Sequence, residues 1–315
     1  MQWDDRIGRR LTLRDLNILL TVAELGSMAR AAERLAVAPP VVSKAITELE
    51  QALGVRLLER SRAGITTTTA GSAIVARGLA AFDELRQGAA EVGFLSEPNS
   101  GVVHIGATDA MASGLLAHVA SRICGRYPRI ALEIVHVASS NDIVRLLRDR
   151  SVDFIVGRVI GEALDKNMLV ERLFDDPVRV VAGLTSAWVK RRRIELAELA
   201  EEWWCISRAP VIRSMISNIF RDGGLDLPRM TVSVNSISAH TQLAATGQFL
   251  AMLPHSLLHF NATHLSLRVL PVPLMTRPAP VGIMTLKNRK LNPVADILIA
   301  EIRVAAKPLA VRSIK

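Results

Sequence analysis

The sequence predicts an N-terminal all-α winged helix-turn-helix with a linker helix, followed by a C-terminal α/β region. Three observations carry that prediction. Residues 27–51, SMARAAERLAVAPPVVSKAITELEQ, read as two short helices separated by a tight break. Between Ala70 and Val92, Ile74, Gly78, Ala81, Leu85, Gly88 and Val92 follow an alternating four-three spacing. From residue 102 onward, short apolar strands alternate with helical patches.

In LTLRDLNILLTVAELGS, Thr12 suits a helix cap, Leu16, Leu19, Leu20 and Val22 supply a buried stripe, and Gly26 is a stop. Ser27 starts the next helix, because its hydroxyl oxygen can accept a free first-turn N–H. Ala31, Ala32 and Leu35 recur on one face. The chain breaks at Val37-Ala38 and restarts at Pro39-Pro40, where a missing N–H costs nothing. This second helix buries Val42, Ile46 and Leu49 and leaves Val41, Ser43, Lys44 and Thr47 on other faces. Two short helices crossing at small residues make a helix-turn-helix, and the second has the size to enter a major groove.

An ordinary helical hairpin shares that pattern, so the next segment decides. GVRLLER (54–60) leads into RSRAGITTTTAG (60–71), a basic, Gly-containing, β-prone stretch that reads as a wing. Ser27, Arg30, Pro39, Pro40, Val41, Ser43, Lys44 and Thr47 are the candidate DNA-contacting residues of the helices, with Arg60 and Arg62 reaching phosphates from the wing. The recognition helix has no Arg for a bidentate guanine contact. DNA shape, and apolar contact of Val41 with thymine methyls, therefore enter as modes of readout.

LRDLNILLTVAELGSMARAAERLAV, VVSKAITELEQALGVRLLER and the wing ending TTAG together resemble the LysR-type transcriptional regulators, over about the first seventy residues. Three positions depart from the family pattern: Ala38-Pro39 stands where a Ser-Gln pair is usual, Leu58 where a Phe is usual, and Thr67 where a Leu is usual. The first matters most, since a Gln can read an adenine edge and a proline cannot. The resemblance implies a dimerisation role for the long helix, whose seam read alone fits packing on its own domain equally well. It also implies double-stranded promoter DNA and a small-molecule effector as partners, a homodimer or homotetramer, and no cofactor.

Charge adds little to the DNA argument. The net charge is +9, but residues 1–65 hold ten Lys/Arg against eight Asp/Glu. Much of the excess lies at Lys190-Arg191-Arg192-Arg193 and at Lys287, Arg289, Lys290 and Lys307, which read as solvated faces. A length of 315 residues suggests two or three domains, and a 50% hydrophobic composition excludes global disorder. No apolar run reaches the roughly 18 residues of a bilayer span, and the charged start leads into no secretory h-region. A cytoplasmic protein is expected, with Cys124 and Cys205 as two buried thiols.

After the hinge-like SEPNSG (96–101), strands are expected at 102–107, 130–137 and 152–157, with helices near 111–126 and 140–149 between them. This succession reads as a parallel sheet with helices on both faces. Further strands are expected at 178–183, 203–207, 230–234, 249–253, 265–272 and 280–286, and helices near 212–221, 237–246 and 292–306. ERLFDDPVRVVAG and TGQFLAMLPHSLL resemble the same family's effector-binding region, which is similar to periplasmic substrate-binding proteins. That likeness implies a DNA-binding domain at 1–69, a linker helix at 70–95 and an effector-binding domain at 101–305. Within the last, subdomain I would comprise 101–166 and 267–305, and subdomain II 167–266.

Enzymatic chemistry is poorly supported. There is no GxSxG elbow, P-loop or GxGxxG. His255-x-x-x-His259 could share a helical face as a metal pair, but no Cys or carboxylate lies close in sequence, and no metal is expected. Asp175-Asp176 and Glu201-Glu202 read as solvated acids, and Trp203-Trp204 as core at a strand start. Ligands of open α/β sheets sit beyond the carboxyl ends of strands. Those ends offer Thr108, Asp109, Ser139, Ser140 and Arg158, with Asn235 and Ser236 in the other subdomain. Each equally suits a plain helix cap or, for Arg158, a salt bridge. Arg158 points to an anionic effector, while sugars, aromatic acids and central-metabolism acids all remain open. A small-molecule binding protein without DNA function, and an α/β enzyme, are the alternatives to a regulator.

Overall fold

The computed structural model describes residues 11–61, 64–159, 166–228, 230–274 and 278–310. They fall into two compact units, one running to Ala89 and including Arg148–Arg150, the other holding the remainder.

The first unit opens with α1 (Leu13–Leu25), α2 (Met28–Arg34) and α3 (Pro39–Leu53). Thr12 caps α1 by accepting the Asp15 N–H at 3.2 Å, and Gly26 ends it in the left-handed conformation at φ 62°. Leu19, Val22, Ala31, Val42 and Leu49 share one core, each worth about 1–3 kcal/mol of burial for the larger side chains. Leu20 is only half-buried and Ile18 takes the buried place instead. The turn between α2 and α3 is a Schellman motif: Ala36 N–H donates to Glu33 O and Val37 N–H to Ala32 O, at 3.1 and 3.0 Å. Ala36 takes the left-handed position at φ 51°.

The wing is an antiparallel pair, β1 (Leu58–Ser61) and β2 (Gly64–Thr67). Its base is tied to the helices, because Ile65 N–H donates to Gly26 O at 3.0 Å and Glu50 accepts Leu57 N–H at 2.7 Å. Helix α4 (Thr69–Ser96) follows, with the Thr68 hydroxyl accepting Gly71 N–H at 2.9 Å. Its expected seam divides in two. Ile74 packs on the helix-turn-helix core, and a Cβ at Gly78 would lie 3.0 Å from Leu16, so this end belongs to its own domain. Leu85 and Val92, further along, are 54% and 64% exposed.

The second unit's strands are β3 (Ser100–Ala107), β4 (Arg129–His136), β5 (Phe154–Arg158), β6 (Met168–Asp176), β7 (Val178–Gly183), β8 (Trp204–Ser207), β9 (Met230–Val234), β10 (Leu250–Pro254), β11 (Leu267–Val269) and β12 (Ala279–Leu286). They form two five-stranded sheets, ordered β4-β3-β5-β12-β6 and β11-β7-β10-β8-β9. As expected, β3, β4 and β5 run parallel, while β12 is antiparallel to β5 and β6. Each sheet has an apolar core on both faces, so successive side chains of one strand enter opposite cores. Phe154 and Val156 join one core and Ile155 the opposite one. Val180 and Ala182 likewise face away from Val181.

The crossovers lie elsewhere than the sequence suggested. The stretch 168–176, not expected as a strand, pairs with β12 in the first sheet, so the change of subdomain comes at Pro177 rather than 167. Proline has no N–H to extend a ladder, which suits a strand that leaves one sheet for another. β11 pairs with β7 in the second sheet, which carries the return beyond 267. The helix expected at 111–126 is realised as α5 (Asp109–Met111), a π turn at Ala112–Leu116 and α6 (Ala117–Arg126). The other α-helices among the described residues are α7 (Ser140–Arg148), α8 (Pro210–Asp222), α9 (Ile237–Ala245), α10 (His255–Phe260) and α11 (Pro293–Ala310).

Candidate nucleic-acid interface and effector cleft

Helix α3 is buried on one side and open on the other. Val42, Ala45, Ile46 and Leu49 face the core. Pro40, Ser43, Lys44, Thr47, Glu48 and Gln51 line the opposite, open face. Sequence reasoning missed Glu48 and Gln51, although their spacing of eight and eleven residues from Pro40 puts them on that face. Lys44 Nζ lies 3.7 Å from Glu48, and the Thr47 hydroxyl donates to Ser43 O at 2.9 Å. Val41 is half-buried at the helix start.

The other expected DNA contacts are more committed. Ser27 caps α2 by accepting Arg30 N–H at 3.4 Å, while the Arg30 guanidinium donates to Leu25 O. Arg60 is exposed on β1 with its guanidinium 3.5 Å from the Met28 sulfur. Arg62 lies outside the described residues.

In the second unit, the parallel register puts the carboxyl ends of β3, β4 and β5 at one edge, with Ala107 beside His136 and Val156. Thr108 is half-buried there, its methyl against Gly157, and its hydroxyl makes no hydrogen bond among the described residues. Asp109 reaches to the second sheet's side: its Oδ2 accepts Ile237 N–H at 2.7 Å, at the start of α9. Thr108 and Asp109 are thereby brought to Asn235 and Ser236, which precede α9. Ser236 caps α9 through Ala239 N–H at 3.4 Å, and Asn235 is exposed. His240, buried one turn along, has its pKa lowered by burial, against the opposing pull of Ser236 O and Asp109.

Ser139 and Ser140 stand at the same sheet edge but serve α7. The Ser139 hydroxyl and the Asp142 carboxylate are 2.9 Å apart, which holds the Asp142 carboxyl below the usual range. Arg158 does not support an anionic effector. It is buried, 3.6 Å from Asp176, and also donates to Asp176 O at 3.3 Å, so its charge is already met. Asp176 is correspondingly no solvated acid: it is 1% exposed and accepts from Ser256 N–H and Ser256 Oγ at 2.9 and 2.8 Å. Its importance was hidden because its partner lies eighty residues away.

Two further expectations are corrected. Cys124 is exposed, because Val119 and Ile123 take the buried face of α6; Cys205 is buried on β8, and burial pushes its thiol up to about 11. Trp204 is fully buried, but Trp203 is 53% exposed, its ring tilted 44° to that of Phe249 with centroids 5.8 Å apart. The His255 and His259 rings lie 6.3 Å apart, and among the described residues no group of three metal-binding side chains forms.

Residues 13–72, spanning the helices and wing, match the bacterial regulatory helix-turn-helix proteins of the lysR family, and residues 96–307 match the LysR substrate binding domain. The chain belongs to the LysR family. It is a transcriptional regulator that binds DNA through its helix-turn-helix and carries an effector-binding domain. Among relatives, the HTH-type transcriptional regulator YdcI of Escherichia coli K12 is 25% identical over 96% of this chain and 98% of its own. Similar solved structures include ArgP from Mycobacterium tuberculosis, at TM-score 0.70 and 21% identity over 94% of this chain and 97% of that one. Full-length CbnR complexed with its target DNA matches at TM-score 0.53 and 20% identity, over 94% of this chain and all of that one. Both structural likenesses bear on the fold of this LysR-family protein. No helix of the described residues is long and apolar enough to cross a membrane.

Proposed function

We propose that this LysR-family protein is a cytoplasmic homo-oligomeric regulator that reads promoter DNA with α3 and the wing, and is switched by a small polar effector near Thr108, Asp109, Asn235 and Ser236. The observation that carries the DNA side is the two-sidedness of α3, with Val42, Ile46 and Leu49 buried and Pro40, Ser43, Lys44 and Gln51 open. The half-buried Thr108 hydroxyl, which makes no hydrogen bond among the described residues, lies beside the Asp109–Ile237 bond and supports the effector position. An effector acts only if it binds the two subdomain arrangements unequally. The linker residues Leu85 and Val92, exposed on one stripe, support pairing of two copies.

The test is a gel shift with the DNA flanking its own gene, with and without candidate metabolites. Ser43→Ala is expected to weaken sequence discrimination, and Arg60→Ala to weaken binding to all sequences and lower its salt dependence, each by about 1–3 kcal/mol. Thr108→Val keeps the shape and removes a hydroxyl, so it should raise the metabolite concentration needed without changing ligand-free operator affinity. Unchanged DNA affinity and salt slope in both head variants would sink the DNA assignment. An unchanged metabolite response in Thr108→Val would move the effector elsewhere.

A further inference from the structure

We propose that the main-chain amide and carbonyl of Leu57 form a junction that fixes the wing and the linker helix to the recognition helix, and that Glu50 and Thr68 are positioning residues that make the protein selective for the spacing between half-sites. The proposal rests on the DNA-binding reading and on the pairing of two copies through α4, and deepens both.

Leu57 is fully buried and immediately precedes β1. Its N–H donates to Glu50 Oε1 at 2.7 Å, and the next N–H, of Leu58, donates to the same oxygen at 3.2 Å. The Leu57 carbonyl accepts Thr68 N–H at 2.9 Å, one residue before α4 begins. The Thr68 hydroxyl donates to Arg56 O at 2.8 Å, with Leu57 O at 3.3 Å, and accepts Gly71 N–H at 2.9 Å. A Cβ on Gly71 would overlap the Leu57 carbonyl, so the first turn of α4 lies directly on this peptide. Three elements therefore meet at one residue: the recognition helix α3 through Glu50, the wing through β1, and the linker helix through Thr68.

The Ile65–Gly26 bond holds the wing to the turn between α1 and α2, whereas Glu50 ties its root to α3 itself. A carboxylate that accepts two amides makes charge-assisted bonds, and a buried amide that loses its acceptor has no water to replace it. When two copies pair along α4, each recognition helix is placed by the way its head is mounted on that helix. A rigid mount demands one spacing of half-sites, and a loose mount accepts several.

The experiment uses the full-length protein, a site that it selects from a randomised pool, and the same site with two extra base pairs between its halves. The insertion turns one half by about 70° around the duplex axis. Affinities are measured by fluorescence anisotropy, and the readout is their ratio, because a merely structural loss weakens both duplexes alike. Wild type should favour the selected spacing by about tenfold. The ratio should fall to about two- to threefold in Glu50→Ala and in Thr68→Val, and stay near wild type in Glu50→Gln, whose amide oxygen still accepts. Ratios unchanged in both Glu50→Ala and Thr68→Val overturn the proposal, and a ratio unchanged in one overturns that residue's part in it. A wild-type ratio near one on a site with two halves overturns it without any variant. A selected site with a single half overturns the pairing of copies, and a pool in which nothing is enriched overturns the DNA-binding reading itself.

Discussion

The Asp109 carboxylate accepts the N–H of Ile237, 2.7 Å away, so a residue that follows the first sheet's β3 closes the start of a helix packed on the second sheet. A carboxylate at a helix N-terminus satisfies an orphan donor and meets the positive end of the helix dipole. Asp109→Ala removes both effects and should destabilise the protein by about 1–2 kcal/mol. Urea denaturation should show a lower midpoint with an unchanged slope. A midpoint equal to wild type would mean that the bond contributes nothing in solution.

Arg158, Asp176 and Ser256 form a buried polar set where β5 and β6 end and α10 begins. Arg158→Met keeps the length but strands the Asp176 carboxylate, and should cost about 3–5 kcal/mol. The double variant Arg158→Met/Asp176→Asn removes both charges and should recover much of that loss. Thermal unfolding of the two variants decides the point: an additive double variant would rule out charge coupling.

The helix-turn-helix was legible because its signals are local. Ser27, the small residues at 31 and 32 and the proline start of α3 each act within a turn or two of themselves, and the structure bears them out. Most strands were legible for the same reason, since VRVVAG and MTVSV form β7 and β9 with the expected bounds. β6 escaped because MLVERLFDD carries Glu171, Arg172 and Asp175, and its strand character comes from pairing with β12 more than a hundred residues away. Asp176 was hidden because Ser256 lies eighty residues away, while for Arg158 the salt bridge left open beside an anionic effector is the one that forms, with Asp176. At Gly78 the seam spacing left open which partner fills it, and Leu16 of the protein's own domain does.

Ala36 occupies the left-handed position of the turn at φ 51°, where an L side chain is strained and glycine is not. Ala36→Gly should therefore stabilise the protein by roughly 0.5–1 kcal/mol, even though glycine adds freedom to the unfolded chain. The readout is the thermal midpoint of the variant. A lower midpoint would show that unfolded-state entropy outweighs the relief of strain.

His240 carries a pH consequence. Burial lowers its folded pKa below the ordinary 6.5, despite the facing Asp109 and Ser236 O. The unfolded chain therefore binds the proton first, and the stability contributed by the neutral ring is full above about pH 6.5 and is lost as pH falls toward the folded pKa. Denaturant midpoints at about pH 7.5 and about pH 5.5 should differ less for His240→Gln than for wild type. Equal pH sensitivity in the two proteins would place the titration in another residue.

Leu85 is 54% exposed on α4, on the same stripe as Gly88 and Val92, the latter 64% exposed. Apolar side chains repeating at seven residues on a helix surface form a seam that a second helix can cover, and covering it removes them from water. The stripe's earlier members, Ile74 and Gly78, are already occupied by the protein's own first domain, so the available length begins near Leu85. Leu85→Asp puts an uncompensated carboxylate into that seam while leaving the helix-turn-helix core untouched. Sedimentation velocity should then show a shift from oligomer toward monomer, and operator footprints spanning two half-sites should shrink or disappear, because one head alone buries too little DNA surface for tight binding. If Leu85→Asp sediments as wild type and protects the same DNA, the copies pair through some other surface.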